Sequence, residues 1–253
     1  MKRGWSGKGQ VTVFIIVAVL IVAVAVLMYF IYPKIRSPSV SSSPTLTIQS
    51  CMEDELKNAV EKISLQGGVI EPEFYMQHGE NKVEYLCYSG EYFKRCVVQN
   101  PLLKISVENE IKSEINEKVK SCFDAIEEDY RNKGYEVSLA RNDYDVEIQA
   151  KQIVVNFDYD LSISKEATNR YENFKVRINN NLYNLLLIAK RVIESEVQYG
   201  EADVTIYMDY YSWLKAEKAV KSDGTKIYIL TDRNSGDKFQ FASRSMVIAP
   251  GYG

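Results

Sequence analysis

Residues 153–164 read IVVNFDYDLSIS, and this stretch decides the fold because its two kinds of side chain alternate. Every odd position from Ile153 to Ile163 is apolar or aromatic, whereas the even positions are polar apart from Val154. A period of two is typical of a strand with one buried face and one wet face. Three flanking segments have strand-like patterns, at residues 136–140, 145–150 and 171–178. Together the segments predict an antiparallel meander of about four strands.

Apolar residues at helical spacing predict three helices that accompany this sheet. The first stripe covers residues 52–63 and is followed by Gly67, which is placed to end a helix. The second stripe covers residues 107–126. The third helix is predicted over residues 181–198. Its expected core face consists of Leu182, Leu185, Leu186, Ala189, Ile193 and Val197.

Two hairpins complete the predicted body. Residues 84–98 hold two β-like runs around the turn-forming pair Ser89-Gly90, and residues 226–242 hold two more around a polar loop. Strands and helices therefore follow one another without regular βαβ alternation, which is typical of the α+β class. We predict an α+β body of antiparallel sheet with about three helices.

A long apolar run precedes this body. Residues 11–32, VTVFIIVAVLIVAVAVLMYFIY, contain no charged side chain. As an α-helix the run is about 33 Å long at roughly 1.5 Å per residue, which matches the hydrocarbon core of a bilayer. We therefore predict one transmembrane helix over residues 11–32, with the lipid bilayer as its partner. Residues 1–10 form a basic N-terminus that we expect in the cytoplasm, because positive charge favours that side.

The remaining chain divides into a stalk and a body. Residues 33–45 are rich in Ser and Pro, a composition that stays extended and cannot bury a core. The body begins with a Cys-containing helical region that includes the first hairpin, residues 46–134. The meander, the third helix and the C-terminal hairpin follow in residues 135–253. The predicted location is the cell membrane, in a single pass, with the body extracellular.

The four cysteines favour that orientation. All of them follow the apolar run, and none has the spacing of a metal site. Disulfides are typical of exported domains, although reduced cysteines in a cytosolic body are the alternative. Four cysteines allow three pairings. We favour Cys87 with Cys96, which flank a hairpin, and Cys51 with Cys122, which lie on two helices that should pack together.

The segment Lys8-Gly9-Gln10, directly before the apolar run, resembles the class III, prepilin-type signal of archaeal surface proteins. The resemblance covers about a dozen residues and implies cleavage after Gly9, which would leave Gln10 as the mature N-terminus with the apolar helix retained. Many pilins carry Glu at the fifth mature position, where this chain has Phe14. The alternative is an uncleaved signal anchor with a polar flank.

The order of anchor, stalk, two Cys-bearing helices, meander and helix resembles uncharacterised single-span exported proteins of small-genome archaea. The Leu65-Gln66-Gly67-Gly68 sequence after the first helix belongs to this likeness. The resemblance covers most of the chain and implies export and a membrane tether, but no activity.

Charge and motif content exclude several functions. The chain of 253 residues has a net charge of -3, but 5 of its 31 basic residues and none of its 34 acidic ones precede residue 37. The rest is strongly acidic and offers no basic surface for nucleic acid. No common enzyme motif is present, and the single histidine, His78, lies in a predicted polar loop. We predict no cofactor and no metal site.

Two sets of residues are candidate binding or catalytic groups. Asp143 with Asp145 and Asp158 with Asp160 place carboxylates on one strand face, but a solvated face is the simpler interpretation. Tyr210, Tyr211 and Trp213 are candidates for contact with a surface protein or a glycan, but packing inside the body is the favoured interpretation.

The sequence thus predicts a membrane-anchored cell-surface protein with a structural or interaction role. The first alternative is a pilin-like subunit that is cleaved after Gly9 and self-assembles through its apolar helix. The second alternative is an exported enzyme acting on surface polymers. An enzyme is the less favoured interpretation, because the sequence shows no catalytic constellation.

Overall fold

The computed structural model describes residues 16–22, 26 and 43–247 of the chain. The chain divides into two units, residues 1–42 and residues 43–253. In the first unit, residues 16–22 and 26 are helical and their side chains are exposed. The predicted basic N-terminus, the cleavage site at Gly9 and Gln10, most of the predicted span and the stalk up to residue 42 lie outside the described residues. In the described part, no helix combines the length and the apolar character needed to cross a membrane.

The second unit, as far as residue 247, contains four helices and nine strands. The helices are α1 (Pro44–Leu65), α2 (Leu103–Asn132), α3 (Leu182–Tyr199) and α4 (Thr205–Tyr210). The strands are β1 (Tyr75–His78), β2 (Asn81–Tyr88), β3 (Val97–Val98), β4 (Glu136–Gln149), β5 (Gln152–Ser164), β6 (Thr168–Asn179), β7 (Leu214–Val220), β8 (Lys226–Asp232) and β9 (Lys238–Arg244). The unit is of the α+β class, as predicted.

The meander forms a sheet of its own, in the order β4-β5-β6. It has three strands, so the prediction of about four strands was wrong: the two short segments before residue 153 are one 14-residue strand, β4. The pairing of β4 with β5 shifts between Arg141 and Tyr144, where a bulge inserts one extra residue. The bulge keeps Leu139 and Tyr144, at positions of opposite parity, packed against the same core.

The second sheet is larger and mixed. Its main path is β1-β2-β9-β8-β7, and β3 pairs with the end of β2, on the edge opposite β9. Strands β2 and β9 run parallel, whereas a purely antiparallel arrangement was predicted. Two local assignments also change. Only two residues, in β3, pair back on β2 after Ser89-Gly90, and His78 ends strand β1 instead of lying in a loop.

Helix α1 begins at Pro44, two residues inside the predicted stalk. Proline at the first helical position lacks only an amide hydrogen that has no partner there, so Pro44 starts the helix instead of interrupting it. Helix α1 packs between β6 and β9, which brings both sheets into one core. Its Gln49 side chain also pairs with the backbone of Arg177 on the edge strand β6, at 2.9 Å in both directions.

Both disulfides join elements of this core. Cys51 of α1 is bonded to Cys122 of α2, and Cys87 of β2 is bonded to Cys96, which precedes β3. These are the two pairings favoured from the sequence. The first holds α1 against α2, and the second closes the short loop after β2.

Candidate interaction surface

The three aromatic residues singled out from the sequence form one cluster. The Tyr210 and Tyr211 rings are 4.7 Å apart in an edge-to-face contact, and the Tyr211 and Trp213 rings are 5.7 Å apart. Such contacts stabilise ring pairs beyond the area they bury. The cluster therefore has a defined shape instead of three independent rings.

Helix α4 and strand β7 position this cluster. Tyr210 is the last residue of α4, and β7 begins directly after Trp213. The backbone is fixed on both sides of Ser212, because the Leu214 amide donates to the Tyr211 carbonyl at 2.9 Å and the Arg233 amide donates to the Trp213 carbonyl at 2.8 Å. The segment is thus tied to the loop between β8 and β9.

Exposure separates the roles of the three rings. Tyr211 and Trp213 are half-buried and pack against the main core, as the packing interpretation predicts for them. Tyr210 is 79% exposed, so its ring contributes little to the core. An exposed tyrosine that packs on a half-buried ring is typical of a contact residue on an interaction surface.

A second exposed apolar surface was missed from the sequence. A groove of about 460 Å³ lies between the start of α2 and one face of α3. Its walls include Leu102 and Ile105 near the start of α2, and Leu187, Lys190 and Glu194 on α3. The three apolar side chains are 64%, 52% and 45% exposed, respectively. The sequence assigned Leu187 to no face, and the groove exists only because two distant segments meet.

A buried polar cluster lies on the core side of α3. Glu196 is fully buried, and the Lys226 ammonium lies 3.0 Å from both of its carboxylate oxygens. The Tyr228 and Ser243 hydroxyls also donate to this carboxylate. Burial and the neighbouring carboxylate raise the pKa of Tyr228, so it stays a hydrogen-bond donor. The spacing in α3 offered a signal, because Glu196 lies among its core positions.

A second acid touches the rim of this cluster. Burial alone would raise the pKa of Glu201, but hydrogen bonding from Lys218 and the nearby charge of Lys226 hold it below the ordinary value. Glu201 therefore stays ionised and gives Lys226 a second carboxylate at 3.3 Å. The cluster is closed to solvent at Glu196, so its evident role is to fix α3 on the larger sheet.

The aspartates of the meander form no joint site. Asp143 pairs with Lys112 at 2.9 Å, Asp145 and Asp158 are exposed, and Asp160 lies 3.3 Å from Arg170. Across residues 43–247, no three His, Cys, Asp or Glu side chains are grouped so that they could hold a metal ion. These carboxylates are a solvated strand face with local ion pairs.

Comparison of the chain with protein-family models, with curated proteins and with solved structures gave no match.

Proposed function

We propose that this protein is anchored in a membrane by residues 11–32 and displays the unit that begins at residue 43 outside the cytoplasm, as an interaction module. The observation that carries the proposal is the combination of an uncharged 22-residue apolar run with two disulfides in the following unit. Disulfides persist in oxidising compartments, and a chain that crosses a membrane once places its two ends in different compartments.

The described part of the apolar run supports the anchor. Six large apolar side chains in residues 16–22 are between 47% and 63% exposed. Water-exposed surface of this kind is unfavourable at roughly 25 cal/mol per Å². A helix that is apolar on all sides is stable when lipid or other protein surrounds it.

The aromatic cluster is the proposed contact for a surface protein or glycan. Of the three rings, Tyr210 is the one exposed enough to make a large new contact, and it packs edge-to-face on Tyr211, which in turn contacts Trp213. A preorganised aromatic anchor loses little conformational entropy on binding.

The topology is tested by the intact mass of the protein extracted from membranes, after alkylation of free thiols. The proposal expects a chain with no alkylated cysteine that gains four alkylation sites only after reduction. Four free thiols in the extracted protein would contradict the exterior location. The same spectrum shows whether the chain starts at Gln10, and filaments recovered from sheared cells would then favour the pilin-like alternative.

The contact surface is tested by photo-crosslinking in intact cells, with benzoylphenylalanine in place of Tyr210. We expect a crosslinked product at this position, because the side chain lies at the centre of the proposed contact. The matched control places the same group at Tyr199, a tyrosine on α3 that is 64% exposed. Equal products at both positions, or none at position 210, would contradict the assignment.

The same residue gives a stability prediction. Tyr210→Ala is expected to change the free energy of unfolding by less than about 0.5 kcal/mol, because the ring is mostly exposed. Trp213→Ala is expected to lower it by about 2 kcal/mol or more, because its half-buried ring packs on the core. Urea unfolding of both variants measures the difference, and an equal loss would show that Tyr210 is a core residue.

A further inference from the structure

We infer that the groove between α2 and α3 binds a second copy of this chain, with the two α3 helices packed antiparallel about a two-fold axis. The inference goes beyond the proposed function and does not depend on the membrane topology. It rests on the apolar walls of the groove, on two opposite charges beside them and on the position of the groove in the unit.

The apolar side chains of the groove are exposed and contiguous. Leu102, Ile105 and Leu187 are each 45% exposed or more and share one concavity, with the buried Leu186 and Ile193 in its lining. Scattered exposed leucines are common, whereas a contiguous concave apolar patch marks a binding surface. Covering it removes these side chains from water.

Charge complementarity identifies the occupant. Lys190 and Glu194 are one turn apart on α3, and both line the groove. Within the described part of the chain, neither side chain takes part in an ion pair or hydrogen bond. In a two-fold interface, if residue i contacts residue j, then j contacts i. Antiparallel α3 helices therefore bring Lys190 of each copy to Glu194 of the other and form two ion pairs at once.

The same register also places apolar side chains of the two copies opposite each other. In an antiparallel pair, a step toward the N-terminus of one helix corresponds to an equal step toward the C-terminus of the other. With Lys190 opposite Glu194, Leu187 therefore lies opposite Val197 of the second copy. Val197 is half-buried and packs at the edge of the core, which makes it an apolar neighbour. A peptide with charges of one sign would pair with only one of the two residues, whereas a second copy pairs with both.

The groove also lies far from the point where the chain enters the unit. Helices α1 and α2 are antiparallel, with Cys51 bonded to Cys122 and Lys62 lying 3.2 Å from Glu114. The groove is at the start of α2, about 26 Å along the helix from Cys122 at roughly 1.5 Å per residue. The beginning of α1 therefore does not cover the groove.

The test uses the full chain in detergent micelles, with two different affinity tags so that mixed dimers can be isolated. Lys190→Glu and Glu194→Lys each place like charges opposite each other, and each variant alone is expected to dimerise about tenfold more weakly than the wild type. A mixture of the two variants is expected to form heterodimers at wild-type strength. Each heterodimer again pairs opposite charges at both positions.

The matched controls are Lys215→Glu and Glu217→Lys, which change the same charges on β7, where the two residues form an exposed pair at 2.9 Å. These variants should dimerise as the wild type does. The inference is overturned if the wild type is monomeric, if dimers survive both single charge reversals, or if mixing fails to restore association. Dimers held only by the apolar run at residues 11–32 would give the second of these outcomes.

Discussion

Replacing Cys51 and Cys122 together with alanine is expected to lower the free energy of unfolding by about 4 kcal/mol, the larger of the two disulfide effects in this chain. The bond spans a sequence separation of 71 residues, so its loss frees a long loop in the unfolded state. Cys122 is also buried, which adds a small packing loss. Urea unfolding of the double variant measures the change.

The matched control is the pair Cys87→Ala and Cys96→Ala, whose sequence separation is 9. The same chain-entropy argument gives about 3 kcal/mol for this shorter loop. The expected order is therefore wild type, then the Cys87 and Cys96 variant, then the Cys51 and Cys122 variant. A larger loss from the short loop would show that native packing around Cys87 outweighs the entropy of the unfolded chain.

The larger stability loss expected without the bond between Cys51 and Cys122 matters for the proposed function. A unit displayed outside the cell has to remain folded, and the long-range bond holds α1, the first element of the unit, against α2. If that bond is reduced, α1 is held by packing, by the Gln49 contact with β6 and by the exposed ion pair of Lys62 with Glu114. Exposure of the unit to reductant is thus expected to weaken the attachment of α1 first.

The strand at residues 153–164 was predictable because each side of it faces one environment. Its six odd positions, from Ile153 to Ile163, are all buried, as a period of two predicts. The stripe in α2 was predictable for the same reason, since the buried positions repeat at helical spacing. A local sequence pattern therefore predicts a strand or helix correctly where one face of that element packs on the core.

Other features depend on contacts that no local pattern contains. The parallel pairing of β2 with β9 joins segments on opposite sides of the chain's middle, so neither strand encodes its partner. The bulge in β4 interrupts the alternation and made one strand look like two. Strand β7 and helix α4 were missed, because LKAEKAV alternates weakly and six residues are too short for a helical stripe.

The candidate surfaces also differ in whether a local sequence pattern reveals them. The aromatic cluster was found because its rings are adjacent in the sequence, although the sequence does not show which ring is exposed. The groove was missed because Leu102 and Leu187 come from different helices. Glu196 was missed because a carboxylate at a core position of a helix is uncommon and its partner, Lys226, lies on β8.

Glu196→Ala is expected to lower the free energy of unfolding by about 3 to 5 kcal/mol. The substitution leaves the Lys226 ammonium buried, with only the Gly200 carbonyl and the more distant Glu201 carboxylate as partners. It also removes the acceptor of the Tyr228 and Ser243 hydroxyls, both of which are fully buried. Urea unfolding measures the loss, and a change below about 1 kcal/mol would show that Glu201 replaces Glu196.

The double variant Glu196→Leu with Lys226→Met separates the value of the ion pair from the cost of breaking it. Removing both charges leaves no unpaired ion. The double variant should therefore lose much less free energy of unfolding than the two single variants added together. The coupling energy between the two sites then measures the interaction between Glu196 and Lys226. A double variant as unstable as the sum would mean that the two residues act independently, and the buried cluster would not be what fixes α3 on the larger sheet.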